Sequence, residues 1–310
     1  MNIQITKYLS QIGLMTIAIC LSIPAIALEP TATINLWSPQ YLASQHNSPL
    51  PTEEQNSKGA INHVAIPRLL VYTPSKTNNK AIMVISGGGY RREELGKEGI
   101  PVSEWLVNQG YTVFDLIYRL PMDGWHNKMA PFADGQRALR IIRQKATDYG
   151  YQQVGVMGFS AGGHLAGMLA VTNGQNYYPP QDKIDNNSAR PDFVALLYPV
   201  VSMVSNGNQT QTYKQLLGNN PTLMQEKALS VEQWVNQDTP PMFIAHAKDD
   251  PIASVDDSIT LDEQLKKHHI KQLLTLFNSG GHGWGLGKTG TPTTSWPSLF
   301  QKWVITLNNQ

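Results

Sequence analysis

Ser160 is the residue in this chain whose surroundings best fit a nucleophile. It lies in the pentapeptide GFSAG, between the apolar run QVGVMGF and the small residues of AGGHLAGMLAV. This is the G-x-S-x-G pattern of a sharp turn from a strand to a helix, in which a strained backbone exposes the serine hydroxyl. Gly158 and Gly162 stand where side chains would keep the strand and the helix apart. An ordinary tight turn is the alternative, but the strand-turn-helix setting favours a reactive serine.

A serine hydroxyl becomes an effective nucleophile when an imidazole takes its proton and a carboxylate orients that imidazole. In a site of this kind the acid and then the histidine follow the serine along the chain. His282 fits the base, because it lies in the glycine-rich loop NSGGHGWGLG directly after an apolar run. Asp249 and Asp250 follow the apolar run MFIAHA, whose own His246 is expected to be a buried structural residue. We favour Asp250 as the acid, since it directly precedes a Pro-Ile turn, and Asp249 remains the alternative.

Acyl transfer also needs backbone N–H groups that face the oxyanion of the tetrahedral intermediate. One donor is expected at Ala161, the residue after the serine. The segment MVISGGGYRR offers a second, because glycines directly after an apolar run leave the backbone open to a substrate, and we predict Gly88 and Gly89 as donors. A phosphate-binding loop is the alternative, but the Lys-Ser/Thr pair or the later acidic residue typical of such loops does not accompany these glycines.

Three more residues lie close to these motifs and are candidates to line the substrate pocket. Tyr90 follows the glycines, His164 lies one helical turn beyond Ser160, and Trp284 lies two residues beyond His282. For His164 and Trp284, packing inside the protein is the alternative role.

The elements that must position these residues follow from hydrophobic patterning. Runs such as RLLVY, AIMVIS and YTVFDLIY predict buried strands, whereas VSEWLVNQ, AGGHLAGMLAV and SITLDEQLKKHH predict helices. Their alternation over more than 200 residues predicts an α/β fold, with a mostly parallel central sheet and helices on both faces. Because such sheets carry their sites at the carboxyl ends of the strands, the serine, aspartate and histidine motifs are predicted to meet at one edge.

Residues 1–27 differ from the rest of the chain. Lys7 is their only charged residue, an apolar stretch follows it, and the segment ends in Ala-Ile-Ala. This pattern predicts a secretory signal peptide that is cleaved after Ala27, and hence a secreted or periplasmic protein without stable membrane association. A membrane anchor is the alternative, although the apolar stretch is short for a span.

The composition of the chain limits the classes of partner and cofactor that we expect. The net charge of +1 gives no electrostatic reason to expect a nucleic acid partner. Cys20 is the only cysteine and lies in the predicted leader, so we expect no disulfide and no cysteine-bound metal, and no motif indicates another metal or a cofactor. Residues 28–66, rich in Pro, Asn, Gln and Ser, predict an irregular arm with one short strand, and residues 67–310 are predicted to form the catalytic domain.

With these motifs located, the chain resembles the α/β-hydrolase superfamily, and within it secreted esterases similar to acetyl xylan esterases and feruloyl-esterase-like carbohydrate esterases. The resemblance covers residues from about 68 to 304 and rests on SGGGYRREELGKEGIP, DGQRALRIIRQKA, VGVMGFSAGGHLAG, LLYPVVSM, PPMFIAHAKDDPIASVDDS and GGHGWGLG. It implies Ser160 as nucleophile, Asp250 as acid and His282 as base. It also implies that the GGGY loop and Ala161 form the oxyanion hole.

Residues and resemblance together predict a serine esterase that hydrolyses short-chain acyl esters of small molecules or carbohydrates, in particular acetyl-xylan-like substrates, without metal or cofactor. One alternative is a serine peptidase of the prolyl-oligopeptidase type on the same fold. Another is a binding protein that has the fold without the chemistry. Turnover of acyl esters rather than of dipeptide amides distinguishes the first prediction from the others.

Overall fold

Two β-sheets are present in residues 29–46, 49–204 and 210–307, the part of the chain that this computed structural model describes. The strands are β1 (Ala32–Asn35), β2 (Glu54–Gln55), β3 (Ile61–Asn62), β4 (Arg68–Tyr72), β5 (Lys80–Ile85), β6 (Thr112–Ile117), β7 (Gln153–Phe159), β8 (Phe193–Leu197), β9 (Met242–Ala247) and β10 (Gln272–Phe277). The α-helices are α1 (Pro39–Ser44), α2 (Ile100–Asn108), α3 (Ala130–Gln144), α4 (Ala146–Tyr149), α5 (Ala161–Val171), α6 (Gln211–Leu217), α7 (Leu223–Ala228), α8 (Val255–Lys267) and α9 (Trp296–Leu307). The predicted signal peptide lies outside the described residues. Within them, no helix combines the length and the hydropathy needed to span a bilayer.

The main sheet has eight strands in the order β1-β4-β6-β5-β7-β8-β9-β10 among the described residues, and β2 pairs with β3 separately. From β6 to β10 along this order, all neighbouring strands run parallel. At the other end, β4 is antiparallel to β6 and β1 is antiparallel to β4. The prediction of a mostly parallel sheet is therefore confirmed, and the carboxyl ends of β5, β7, β8, β9 and β10 lie along one edge.

Helices cover both faces of the main sheet, and each face has its own apolar core. Along β5 the side chains alternate: Ala81, Met83 and Ile85 join the core beneath α3, α5 and α8, whereas Ile82 and Val84 join the core beneath α2 and α9. All five are fully buried, and burying a side chain as large as Val or Ile contributes about 1.5–3 kcal/mol. The central strands are thus fixed from two sides, which gives the site at their ends a rigid base.

The N-terminal arm is attached to the domain through an edge strand and a buried polar contact. Strand β1 pairs with β4, and Trp37 donates its indole N–H to Asp134 Oδ1 at 2.6 Å. Arg119 pairs with the same carboxylate at 2.7 Å, and both charged side chains are buried. The described part of the arm has three short strands and one helix, where the sequence indicated one strand. These strands form because β1 pairs with β4 and β2 pairs with β3, and the hydrophobic periodicity of the arm does not predict such pairing.

Candidate active site

Ser160 lies at the turn between β7 and α5, directly before the first residue of the helix. Its backbone has φ 53° and ψ −118°, a conformation that costs a non-glycine residue about 1–3 kcal/mol. The two predicted glycines make this turn possible. A Cβ on Gly162 would lie 2.2 Å from the carbonyl oxygen of Ile85, and a Cβ on Gly158 would lie 2.2 Å from that of Gly162. The close approach of strand and helix leaves the serine side chain at the tip, with 8% of the residue exposed.

The predicted serine, histidine and aspartate meet at the carboxyl edge of the sheet. Ser160 Oγ lies 2.7 Å from His282 Nε2, and Nδ1 of the same ring lies 2.7 Å from Asp250 Oδ2. Because a carboxylate can only accept, Nδ1 carries the proton, and Nε2 is left to accept the hydroxyl proton of Ser160. The three residues come from the loops after β7, β9 and β10, up to 122 positions apart in sequence.

Asp250 is held by four hydrogen bonds inside the protein. The N–H groups of Ile252 and Ala253 donate to Oδ1 at 2.8 and 3.0 Å, while His282 and His246 both face Oδ2, the latter at 3.1 Å. Burial by itself would raise the pKa of Asp250, but the hydrogen bonds from the two histidines outweigh it and hold this pKa well below its usual value. The side chain, which is 0% exposed, is therefore a carboxylate with a fixed orientation.

The neighbouring Asp249 has a different environment. Its Oδ1 accepts the backbone N–H of Gly281 at 2.8 Å, and this hydrogen bond lowers the pKa of the exposed Asp249 carboxyl. The contact ties the loop after β9 to the loop that carries His282. Of the two aspartates between which the sequence left a choice, Asp250 is the one that the structure places against the imidazole.

His246, inside β9, is completely buried as expected, but it also touches the site. Ser258 lies 2.7 Å from its Nδ1, and Asp250 Oδ2 lies 3.1 Å from its Nε2. Since the carboxylate accepts, Nε2–H donates to it and the hydroxyl of Ser258 donates to Nδ1. One carboxylate oxygen thus receives N–H groups from two imidazoles.

The glycine loop after β5 lies against the serine. A Cβ on Gly87 would be 2.8 Å from Cβ of Ser160, so this loop borders the hydroxyl directly. Gly88 and Gly89 have φ values of 125° and 69°, which favour glycine. Within the described residues, the N–H groups of Gly88, Gly89 and Ala161 donate to no protein acceptor. No other described residue thus competes for these three N–H groups, and their role as oxyanion donors stays a prediction.

A buried hydrogen-bond network that the sequence analysis missed joins this glycine loop to the histidine loop. Glu98 accepts the N–H of Gly87 at 2.7 Å and the hydroxyl of Tyr198 at 2.9 Å, and the Tyr198 oxygen accepts the N–H of Gly285 at 3.0 Å. Burial raises the pKa of Glu98 above its usual value, and these hydrogen bonds oppose that rise. The Tyr198 ring also packs 4.9 Å from the His282 ring. Tyr198 directly follows β8, so the rule that sites lie at strand ends could have pointed to it.

The three residues predicted to line the pocket are all buried. Tyr90 and His164 are 0% exposed and bond to each other, with the phenol O–H 2.9 Å from Nδ1, while His164 Nε2 lies 2.7 Å from the carbonyl oxygen of Leu229. Burial lowers the pKa of His164 to about 4, so its ring is neutral near pH 7. Trp284 is 5% exposed and packs 4.3 Å from the Tyr198 ring. The hydrogen bond to His164 ties Tyr90, which also lines an open cleft, to helix α5, and Trp284 packs the histidine loop against Tyr198.

The chain is similar in sequence to a protein-family model and to curated proteins. Residues 69–265 match the family model BD-FAE. An acetylxylan esterase of Xylanibacter ruminicola is 30% identical over 71% of this chain and 44% of its own length. Endo-1,4-beta-xylanase B of Butyrivibrio fibrisolvens is 33% identical over 70% of this chain and 34% of its own length. The chain thus matches less than half the length of these curated relatives.

Solved structures extend the likeness to nearly the whole chain. An acetyl ester-xyloside bifunctional hydrolase from Caldicellulosiruptor lactoaceticus is 31% identical and superposes with a TM-score of 0.75, covering 91% of this chain and 98% of that one. An esterase from Thermogutta terrifontis is 22% identical, with a TM-score of 0.65 over 84% of this chain and 95% of its own, and supports the fold alone.

Proposed function

The chain belongs to the BD-FAE family and has an α/β-hydrolase fold, and from this premise we propose that it is a serine esterase that removes short acyl groups, acetyl above all, from carbohydrates. The observation that carries the proposal is the hydrogen-bonded row of Ser160, His282 and Asp250 beside three backbone N–H groups that have no protein acceptor in the described part of the chain. The carbohydrate part is supported by the relatives, one named an acetylxylan esterase and one an acetyl ester-xyloside bifunctional hydrolase.

The proposed reaction begins when the Ser160 oxygen attacks the ester carbonyl and His282 Nε2 takes the serine proton. The carbonyl oxygen becomes an oxyanion, which the N–H groups of Ala161 and of Gly88 or Gly89 stabilise, and each true donor lowers the barrier by about 2.7–4 kcal/mol. The tetrahedral intermediate collapses, His282 gives its proton to the departing alcohol oxygen, and the acyl group remains on Ser160.

In the second half of the reaction, water attacks the acyl-enzyme. His282 takes a proton from the water as it attacks the acyl carbon, and the same N–H groups stabilise the second oxyanion. When the intermediate collapses, the proton returns from His282 to Ser160 Oγ and the carboxylic acid leaves. Asp250 accepts from Nδ1–H throughout, so it fixes the tautomer that leaves Nε2 free and stabilises the imidazolium.

The test is a substrate screen on the purified protein. We expect hydrolysis of p-nitrophenyl acetate and release of acetate from acetylated xylan, and no hydrolysis of dipeptide amides. Ser160→Ala is expected to abolish both ester activities while thermal melting changes little, because among the described residues the hydroxyl bonds to His282 alone. Full activity in this variant would remove the proposed nucleophile, and cleavage of amides instead of esters would favour the peptidase alternative.

We also propose that the enzyme acts outside the cytoplasm, on the basis of the signal-peptide pattern in residues 1–27. N-terminal sequencing of the protein recovered from the periplasm or the medium is expected to begin at Leu28. A protein that still begins with Met1 and stays in the cytoplasm would contradict this.

A further inference from the structure

An open cleft of about 1060 Å³ lies beside the glycine loop of the candidate active site. Arg91 and Lys97, which follow the glycines along the chain, form part of its wall. The cleft reaches the histidine loop as well, since a Cβ on Gly283 would lie 3.1 Å from Nζ of Lys97. Gly283 is the residue directly after His282. One wall of the cleft therefore adjoins the loop that carries His282.

The charges that line the cleft are unbalanced. Four Lys and Arg side chains line it against two carboxylates, of which Glu94 pairs with Arg92 at 2.5 Å and Asp123 lies 2.9 Å from the His63 ring. The other three cations are exposed, and in the described part of the chain none of them forms an ion pair or a side-chain hydrogen bond: Lys58, Arg91 and Lys97. The formal net charge of the whole chain is only +1, so this excess of positive charge is local. Such a cleft attracts anions.

The uncharged lining of the cleft is suited to hydroxyl groups. Asn62 and Gln215 contribute amide side chains that offer both donors and acceptors, and Asn56, whose Oδ1 accepts the N–H groups of Lys58 and Ala60, contributes its NH₂ group. The Oε1 atom of Gln215 is buried and has no hydrogen-bond partner within the described residues. Helix α6, which carries Gln215, also packs its Gln211 against Gly89, so this wall continues to the glycine loop. Amides next to free cations fit a ligand that combines hydroxyls with negative charge.

We propose that this cleft is the carbohydrate subsite of the esterase, and that it selects acylated oligosaccharides bearing a carboxylate, that is, substrates that include a uronic acid. This inference rests on the proposed function. The sugar carboxylate binds Arg91 and Lys97, while Gln215 and the asparagines bind neighbouring hydroxyls. Arg91 offers a planar fork of donors and Lys97 a compact point charge, and both favour a carboxylate over a neutral hydroxyl.

The decisive experiment compares two forms of one substrate. An acetylated xylo-oligosaccharide with a glucuronate branch is prepared with its carboxyl free and with its carboxyl converted to the amide, and kcat/KM is measured for both. We expect the free acid to be preferred by about five- to tenfold at low salt, with the preference falling as NaCl is raised, since such contacts are screened. Lys97→Gln and Arg91→Gln are each expected to reduce the preference by about two- to fivefold, the effect of one exposed ion pair.

Lys267→Gln is the matched control. Lys267 is also exposed, but it ends α8, which starts near Asp250 at the carboxyl edge of the sheet and runs back toward the opposite edge. The preference is expected to stay the same in this variant. A wild-type preference of about one, or an equal loss in Lys267→Gln and Lys97→Gln, would overturn the subsite.

A binding measurement separates this inference from the proposed function. Ser160→Ala protein titrated calorimetrically with the deacetylated acidic oligosaccharide is expected to bind it at least about five times more tightly than the amidated form. Equal affinities would overturn the inference even if acetyl esters are hydrolysed. Failure to hydrolyse any acetyl ester would instead overturn the proposed function.

Discussion

Adjacent aspartates with different contacts allow a matched test of the acid. Asp250→Asn is expected to lower kcat by up to about ten-thousand-fold, which corresponds to about 5.4 kcal/mol. Asp249→Asn, one residue earlier, is expected to change kcat by less than about threefold, because asparagine at this exposed position keeps an oxygen for the N–H of Gly281.

The large loss of kcat expected for Asp250→Asn follows from the orientation that the side-chain amide must adopt at this position. Asparagine at position 250 keeps its oxygen toward the N–H groups of Ile252 and Ala253, which now donate at 2.8 and 3.0 Å. Its NH₂ group then faces His282 Nδ1, which lies 2.7 Å from the present Oδ2. Nδ1 must become the acceptor, so the ring proton moves to Nε2, and the imidazole can no longer take the proton of Ser160. The same NH₂ opposes His246 Nε2–H, so the free energy of unfolding is expected to fall by about 1–3 kcal/mol.

The assay is steady-state hydrolysis of p-nitrophenyl acetate by both variants, with urea unfolding as the check on stability. Protein should be assayed well below the unfolding midpoint of Asp250→Asn, so that lost activity reports on chemistry rather than on unfolded protein. A severe loss in Asp249→Asn alone, or similar losses in both variants, would refute the reasoning from hydrogen-bond direction.

Three other predictions concern the turn, the buried network and the pH dependence of stability. Ser160→Gly is expected to be more stable than Ser160→Ala by about 1 kcal/mol, because glycine adopts φ 53° without strain, and equal urea midpoints would contradict this. Tyr198→Phe removes the hydroxyl that pairs with Glu98 Oε1 and with the N–H of Gly285, so kcat is expected to fall about 10–100-fold with little change in KM; a lower Tm with unchanged kcat would reduce Tyr198 to a packing role. Burial raises the pKa of Asp115 to about 8, so in the window from about pH 4 to pH 8 unfolding releases its proton and stability falls as pH rises, by at most about 1.4 kcal/mol per pH unit. Asp115→Asn is expected to remove this dependence, and parallel stability curves for variant and wild type between about pH 5 and pH 7.5 would contradict it.

The sequence was sufficient to place a residue where its motif and the neighbouring strand and helix are contiguous in the chain. Ser160 could be placed because its pentapeptide, the preceding strand and the following helix are contiguous, and helix α5 begins and ends at the predicted residues. His282 could be placed because it lies in the loop after a strand of the parallel sheet, at the edge where sites form. The alternation of strands and helices predicted the mostly parallel sheet, and the resemblance of the motifs identified the α/β-hydrolase fold.

The remaining contacts depend on distances that no periodicity encodes. Glu98 and Tyr198 are 100 residues apart, and nothing in the segments GKEGIP and LLYPVV indicates that their side chains meet. The choice between Asp249 and Asp250 depends on the turn after β9, where one residue of difference points a carboxylate toward the imidazole or toward solvent. His246 was expected inside the protein from its apolar run, but its bond to Asp250 requires the coordinates.

The carboxylate shared by two imidazoles has a dynamic consequence. In the proposed acyl transfer His282 would accept a proton on one side of the reacting carbon and deliver it on the other, so its ring would have to tilt. His246 does not take part in that motion, because it is enclosed in the interior and fixed by Ser258. Its N–H therefore gives Asp250 Oδ2 a second hydrogen bond that does not depend on the position of the His282 ring.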